Sequence, residues 1–314
     1  MGVTALAGGV GAAKFLRGLA AVMAPEEITV IGNVGDDLSF FGLHVSPDLD
    51  IVTYTLAGVV DATKGWGLAG DSRQALDQLG RLGLDTWFWL GDADIGTAIA
   101  RTAWLASGLP LSTVADRIRT GLGMGARLIP VTDDRLRTRF VTPAGETLEF
   151  QEYFVRRHHA EEVAAVRFDG AEQARPAPGV LEAIAAADRV ILCPSNPVVS
   201  IGPILAVPGV REALVAVRGK VIAVSPIVQG AALRGPADRL LPVIGAEASA
   251  SGVAGLYADI CATFVVDRRD PGEAPRVAAL GIDPVLADTV METPEISAAL
   301  AETILALPLP RAAA

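Results

Sequence analysis

Thiols, imidazoles and net positive charge are all scarce in this chain, and each scarcity narrows what it can be. Only two cysteines occur among 314 residues, Cys193 and Cys261, far apart in apolar strand-like runs. They build neither a disulfide framework nor a thiolate metal site, and a reducing cytoplasm is the expected setting. The three histidines, His44, His158 and His159, have no metal-ligand spacing and suggest no Ser-His-Asp or Cys-His arrangement, so they read as solvated or capping groups. Acids outnumber bases by 36 to 26, giving a formal net charge of -10 and a pI of about 4.8. That balance excludes nucleic-acid binding through a broad basic face. No uninterrupted apolar run reaches the roughly 18 residues of a membrane helix. The apolar stretch Val3 to Ala24 carries Lys14 and Arg17 in its middle with no charged leader, so no signal peptide is expected. Leu6 stands where N-myristoylation requires Ser or Thr. The expectation is a soluble cytoplasmic protein whose partners are small molecules, with no membrane and no nucleic acid.

Apolar residues, by contrast, make up 51% of the chain, enough for a core of ordinary size. Short apolar runs recur at Val3–Ala7, Ile28–Gly32, Thr86–Leu90, Arg189–Cys193, Val221–Val224 and Thr263–Val266. Each ends in a polar or glycine-rich loop, and most are followed by a helical stretch, the first starting near Ala12. This alternation predicts an α/β fold: a doubly wound, mostly parallel Rossmann-like sheet. Arg137–Thr142 and Thr147–Tyr153 flank Pro143-Ala144-Gly145-Glu146, which reads as a β-hairpin. Residues 135–175 are therefore expected as a small antiparallel insertion in a single α/β domain spanning 1–314, whose tail from Ser297 is helical and ends in a Pro/Ala segment. In open parallel sheets ligands bind beyond the carboxyl ends of the strands. The strand-end loops should therefore converge on one crevice.

Those loops carry the chemistry. Gly8-Gly9-Val10-Gly11 follows a strand and opens a helix, which suits phosphate binding by backbone N–H groups, and Lys14 adds a cation in the first helical turn. The pattern is neither the dinucleotide fingerprint nor a P-loop, and a ligand-free tight turn is the bland alternative. Four aspartates, Asp36, Asp37, Asp48 and Asp50, fall in Asn33-Val34-Gly35-Asp36-Asp37 and Ser46-Pro47-Asp48-Leu49-Asp50 within an otherwise apolar region. Singly each is a turn or cap residue. Together they suggest that two ligate Mg²⁺ while another binds or deprotonates an attacking hydroxyl. Asp92 and Asp94 could join them, with Asp94 also placed to cap a helix. Ser195-Asn196-Pro197-Val198-Val199-Ser200 offers polar groups in a proline-stiffened loop suited to a nucleotide base or phosphate, and Ser225-Pro226 repeats that logic more weakly. Trp66, between Gly65 and Gly67, either fills the core or lies flat against a planar ring.

The combination of Gly8-Gly9-Val10-Gly11, Asn33 to Asp37, Ser46 to Asp50, Gly65-Trp66-Gly67 and Ser195 to Leu205 closely resembles the 2-phospho-L-lactate transferase family of deazaflavin coenzyme F-420 biosynthesis, from near residue 3 to about 295. The resemblance implies a Mg²⁺-dependent transferase. The ribityl hydroxyl of the deazaflavin Fo attacks a guanylyl-activated phospho-acid (phospholactyl, enolpyruvyl or phosphoglyceryl), and GMP leaves. It implies catalytic and metal-binding roles for Asp48 and Asp50, with Asp50 also toward Fo. Gly8, Gly9, Gly11, Lys14, Ser195, Asn196, Ser200 and Ser225 are assigned to the donor, and Asn33, Asp36, Asp37, Trp66 and Asp92 to Fo. A homodimer is expected on the same ground. One departure stands out. The family commonly reads Gly-Asp-Arg-Asp and then Thr-His where this chain has Gly91-Asp92-Ala93-Asp94 and Thr97-Ala98, and Arg101 is the candidate substitute for the lost cation.

Two rival functions compete with the transferase. A related branch, the gluconeogenesis-factor proteins, shares the glycine turn but binds nucleotide-sugars as a regulator; Ser46 to Asp50 and Gly65-Trp66-Gly67 weigh against it. An NAD(P)-dependent oxidoreductase is disfavoured by Lys14 at the third glycine position.

Overall fold

The computed structural model describes residues 1–233 and 235–308; the end of the Pro/Ala tail lies outside the described residues. The chain opens with Val3–Ala7 (β1) and Ile28–Gly32 (β2), followed by a hairpin of Leu38–Phe40 (β3) and Leu43–Val45 (β4). Arg127–Pro130 (β5) follows, then a three-stranded antiparallel sheet of Arg137–Val141 (β6), Thr147–Glu149 (β7) and Ala165–Asp169 (β8). Arg189–Leu192 (β9) and Val221–Val224 (β10) lead to a small hairpin of Ile227–Val228 (β11) and Ala231–Ala232 (β12). Thr263–Asp267 (β13) and Asp283–Ala287 (β14) complete the strands. Seven of them form one parallel sheet in the order β14-β13-β10-β9-β1-β2-β5. The expected Rossmann-like α/β architecture is present, and the antiparallel insertion sits where 135–175 placed it.

The pattern follows from burial. Every residue of β1, β9 and β10 is buried, as in strands covered on both faces. The first helix, Gly9–Val22 (α1), packs on Pro47–Leu56 (α2) and on the C-terminal helix Pro294–Ala306. It begins inside the glycine turn rather than near Ala12.

Three segments depart from expectation. Thr86–Leu90, rich in strand-forming aromatics, pairs with no strand. Its rings serve a separate small cluster instead: Trp87 and Phe88 meet Phe40 edge-on at 5.8 and 5.7 Å, beside Leu38, Leu76 and Leu90. The outer position beside β2 belongs to β5, a four-residue strand ending in proline. At the opposite edge, β14 contains Pro284, which an edge strand tolerates because one side of its ladder is unpaired. No single helix among the described residues is long and apolar enough to cross a membrane.

Candidate active site

A cavity of about 880 Å³ opens at the carboxyl ends of the strands, towards the upper end of the range for small-molecule sites. The loops after β1, β2, β9 and β10 all contribute to its wall, and so does Asp94.

One end is made largely of backbone. Gly9 has φ +72°, a left-handed conformation that glycine adopts at little cost. A Cβ on Gly8 would lie 2.6 Å from Asp48 Oδ2 and 2.9 Å from Ser200 Cβ, so only a bare backbone fits between them. The start of α1 thereby opens on the cavity beside Gly11, Lys14 and Ser200, with the Gly9 N–H turned to the Asp48 carboxylate. Lys14 donates to Met291 O at 3.2 Å, which ties α1 to the loop leading into the C-terminal helix. Ser195 is buried, lines the cavity, and its Oγ has no partner among the described residues. Asn196 lines the cavity but is partly spent on its own loop. Its Oδ1 accepts from Val198 N and Val199 N at 2.9 and 3.3 Å, capping the turn at Pro197–Ile201. Ser225 is likewise engaged with its own turn, donating to Ile227 O at 2.8 Å and accepting from Ile227 N at 3.1 Å.

The aspartates meet at the centre. Pro47 starts α2, and Asp48 and Asp50 fall in its first turn, where the helix dipole favours negative charge. Asn33 is wholly buried behind them: its Nδ2 donates to Asp48 Oδ2 at 2.8 Å and to Val199 O at 3.3 Å, while its Oδ1 accepts from Gly35 N. Asn33 therefore positions Asp48 and does not line the cavity. Asp37 is also behind the wall, accepting from Ser46 Oγ at 3.0 Å and pairing with His44 Nε2 at 2.8 Å. Neither of these two stands where the Fo assignment put it. Asp36 and Asp48 do line the cavity. Burial pushes the Asp48 carboxyl up to about 6, with Asn33 and the Gly9 N–H pulling it down. Burial, reinforced by Asp48, drives Asp36 well above the carboxylate range. Asp50 is raised by burial, opposed by the buried guanidinium of Arg101, which bonds to Asp50 Oδ1 and donates to His44 O at 3.3 Å. Arg101 thus fixes Asp50 and does not itself line the cavity, so it does not replace an arginine at position 93.

This donor set bears on a metal. Among the described residues no three His, Cys, Asp or Glu side chains are grouped to cage an ion. Mg²⁺, however, is usually held by one or two carboxylates plus substrate phosphates and water. Asp36 and Asp48 fit that requirement: both are buried and line the cavity, Asp48 lies against Gly8, its charge disfavours ionisation of Asp36, and Asp36 Oδ1 is without a hydrogen-bond partner among the described residues. Asp50, already answered by Arg101, fits it less well.

The other end is made of side chains. Trp66 is 38% exposed between Gly65 and Gly67 and meets Trp89 at right angles, with centroids 5.0 Å apart and Lys64 Nζ 4.2 Å from the Trp89 centroid. It is no core filler. Tyr54, Phe88, Leu90 and Asp94 continue this wall. Asp94 lies close to Asp50, and burial followed by that charge raises its carboxyl to about 6. Asp92 does not belong here: it accepts from Ser72 Oγ, Gln74 N and Ala75 N, capping the helix Gln74–Arg81 (α3). A further wall from the insertion, Phe150, Phe154 and His159 in a near-parallel stack, had no signal in the sequence.

The family model of 2-phospho-L-lactate transferase CofD matches residues 3–304. A protein of Kitasatospora aureofaciens named phosphoenolpyruvate transferase is 45% identical over 313 residues, covering 98% of each chain. One of Streptomyces avermitilis with the same name is 46% identical over 312 residues, again 98% of each. Among solved structures, protein BH3568 of Bacillus halodurans superposes with a TM-score of 0.64 at 17% identity, covering 97% of this chain and 99% of that one; at that identity the likeness concerns the fold.

Proposed function

The chain belongs to the 2-phospho-L-lactate transferase CofD family, and from that premise we propose that it moves a phosphoenolpyruvyl group from a guanylyl-activated donor to the ribityl hydroxyl of the deazaflavin Fo, in coenzyme F-420 biosynthesis. Enolpyruvyl is preferred over the phospholactyl and phosphoglyceryl alternatives because relatives at 45 and 46% identity bear the name phosphoenolpyruvate transferase. One observation carries the reading: buried Asp36 and Asp48 line the same cavity as the glycine turn, with Asp48 directly against Gly8.

The chain's own residues divide the work. Gly8, Gly9 and the orphan hydroxyl of Ser195 bind the donor's phosphates. Asp48, with Asp36 beside it, would hold Mg²⁺, which when bound supplies charge neutralisation to the phosphates. Asp50, oriented by Arg101, accepts the proton of the ribityl hydroxyl. The ribityl oxygen forms its bond to the phosphorus that carries the enolpyruvyl group, the bond from that phosphorus to the bridging oxygen breaks, and GMP departs with the electron pair. Trp66 and Trp89 flank the deazaflavin ring. The two buried thiols suit a reducing cytoplasm.

The test is to mix the protein with Fo, Mg²⁺ and each of the three guanylyl donors and to follow products by mass spectrometry. An enolpyruvyl-phospho-Fo adduct with stoichiometric GMP is expected. A folded protein that yields no adduct with any donor overturns the reading in favour of a nucleotide-sugar-binding regulator. Asp50→Asn is expected to reduce kcat by about 10²-fold or more, the range of a lost general base, and near-normal turnover in that variant removes Asp50 from its role.

A further inference from the structure

Tyr54 has no part in the scheme above, yet its surroundings demand an explanation. It is 1% exposed, lies on the cavity wall, and its hydroxyl is buried with no hydrogen bond completed by any described residue. A buried hydroxyl left unpaired is costly, and native structures rarely leave one without cause. Asp94 and Thr97 stand within interacting reach of that hydroxyl without closing a hydrogen bond of full geometry, and Asp50 acts on it through its charge. Asp94 contributes one oxygen to the Gly91 N–H at the start of its own helix, Asp92–Ala106 (α4), and still lines the cavity. Burial, followed by the neighbouring carboxylates, pushes the phenol far above its ordinary value, so it remains a hydrogen-bond donor.

Helix geometry places this donor. Tyr54 follows Asp50 by four residues on α2, so the two share a face and stand about 6 Å apart along the axis. Asp50 meets the reacting hydroxyl at the phosphate end, and Trp66 stands at the far end. An extended five-carbon chain at ~1.5 Å per bond covers about 5 Å, which brings its internal hydroxyls level with Tyr54. A polyol hydroxyl completes both partners at once, accepting from Tyr54 O–H while donating to the Asp94 carboxylate.

We propose that Tyr54 and Asp94 form a polyol-recognition pair that grips the internal hydroxyls of the acceptor's ribityl chain and so sets its terminal hydroxyl against Asp50. The inference rests on the reading of Fo as the acceptor. Tyr54 is a specificity-determining residue here, and it exchanges no proton with the substrate.

The experiment uses the full-length protein and two acceptors: Fo, and an Fo analogue whose side chain is 5-hydroxypentyl, keeping ring, reach and terminal hydroxyl but lacking the internal hydroxyls. Binding is read by deazaflavin fluorescence and turnover by GMP release. Wild type is expected to favour Fo by about 30-fold, the scale of unsatisfied buried polar groups. In Tyr54→Phe that preference falls to about threefold, through KM rather than kcat, while GDP affinity is unchanged and shows that the variant is folded. Asp94→Asn is expected to narrow the preference in the same way. A Tyr54→Phe protein that keeps the full preference, or that weakens both acceptors equally, overturns the proposal. If wild type binds GDP but neither deazaflavin, it is the acceptor reading that fails.

Discussion

The two ends of the cavity are built from different materials. The end proposed for the donor is walled largely by main chain: Gly8, Gly9 and Gly11, the start of α1, and one serine with a spare hydroxyl. The end proposed for the acceptor is walled by side chains carried by α2, α4 and irregular segments, with two tryptophans, a tyrosine and two carboxylates. A phosphate offers the same oxygens whatever it is attached to, so backbone N–H groups suffice for it. A ring joined to a polyol has to be read group by group, and only side chains can do that. Between the two lies the cluster of aspartates, which belongs to neither end and serves both.

Three substitutions test that division, the first at its centre. Asp48→Asn is expected to lower kcat by 10³-fold or more, since neither end functions without the charge between them. The same change should make the metal-free protein more stable above pH 6. A carboxyl raised in the folded state is ionised at a cost, so native stability falls as pH rises from about 4 towards 6. Moving it from 3.8 to about 6 corresponds to roughly 3 kcal/mol. Melting of both proteins at pH 4 and pH 8 checks it: the gap should open only at the higher pH, and equal melting temperatures at pH 8 would contradict the burial argument.

Gly8→Ala strikes the donor end where it borders the central aspartates. Its new methyl meets Asp48 and Ser200, so about 1–3 kcal/mol of stability should be lost to overpacking. Donor affinity should drop at least tenfold while Fo affinity stays within about twofold. Calorimetric titration with GDP and with Fo separates the two, and equal losses for both ligands would show that the ends are not independent. The smallest effect is expected from Asp92→Ala. Its carboxylate caps α3, so the melting temperature should fall slightly with Fo affinity unchanged within about twofold. A large loss of Fo binding would return Asp92 to the acceptor end.

Legibility in the sequence follows the same division. The glycine turn, the aspartates and the Ser195 loop stand at strand ends, and strands buried on both faces announce themselves as apolar runs. The parallel sheet, and the loops that meet at the ends of its strands, could therefore be read directly. Thr86–Leu90 misled because aromatic residues favour strands and hydrophobic clusters alike, and only the fold decides which. Strands β5 and β14 were missed because each carries a proline, β5 at the end of only four residues and β14 at its second position. Asp92 and Asp94 look equivalent in sequence, yet two residues of helix turn one toward α3 and the other into the cavity. Asn33 and Asp37 lie one layer further back than their loop suggested, because position relative to a cavity wall has no signature in a single sequence. Tyr54 carried a faint signal, its four-residue spacing from Asp50, which acquires meaning only when the space it faces is known.

The order of strands has a consequence for how the protein comes into being. β1 is synthesised first but lies between β2 and β9, and β9 begins at Arg189. Met291, which receives Lys14, and the C-terminal helix that packs on α1 come later still. The phosphate cradle, encoded in the first dozen residues, is therefore finished by nearly the last ones. A nascent chain emerging from the ribosome holds the sequence of its binding turn for most of its synthesis without owning the site, and a prematurely terminated copy would neither sequester nucleotide nor turn over substrate.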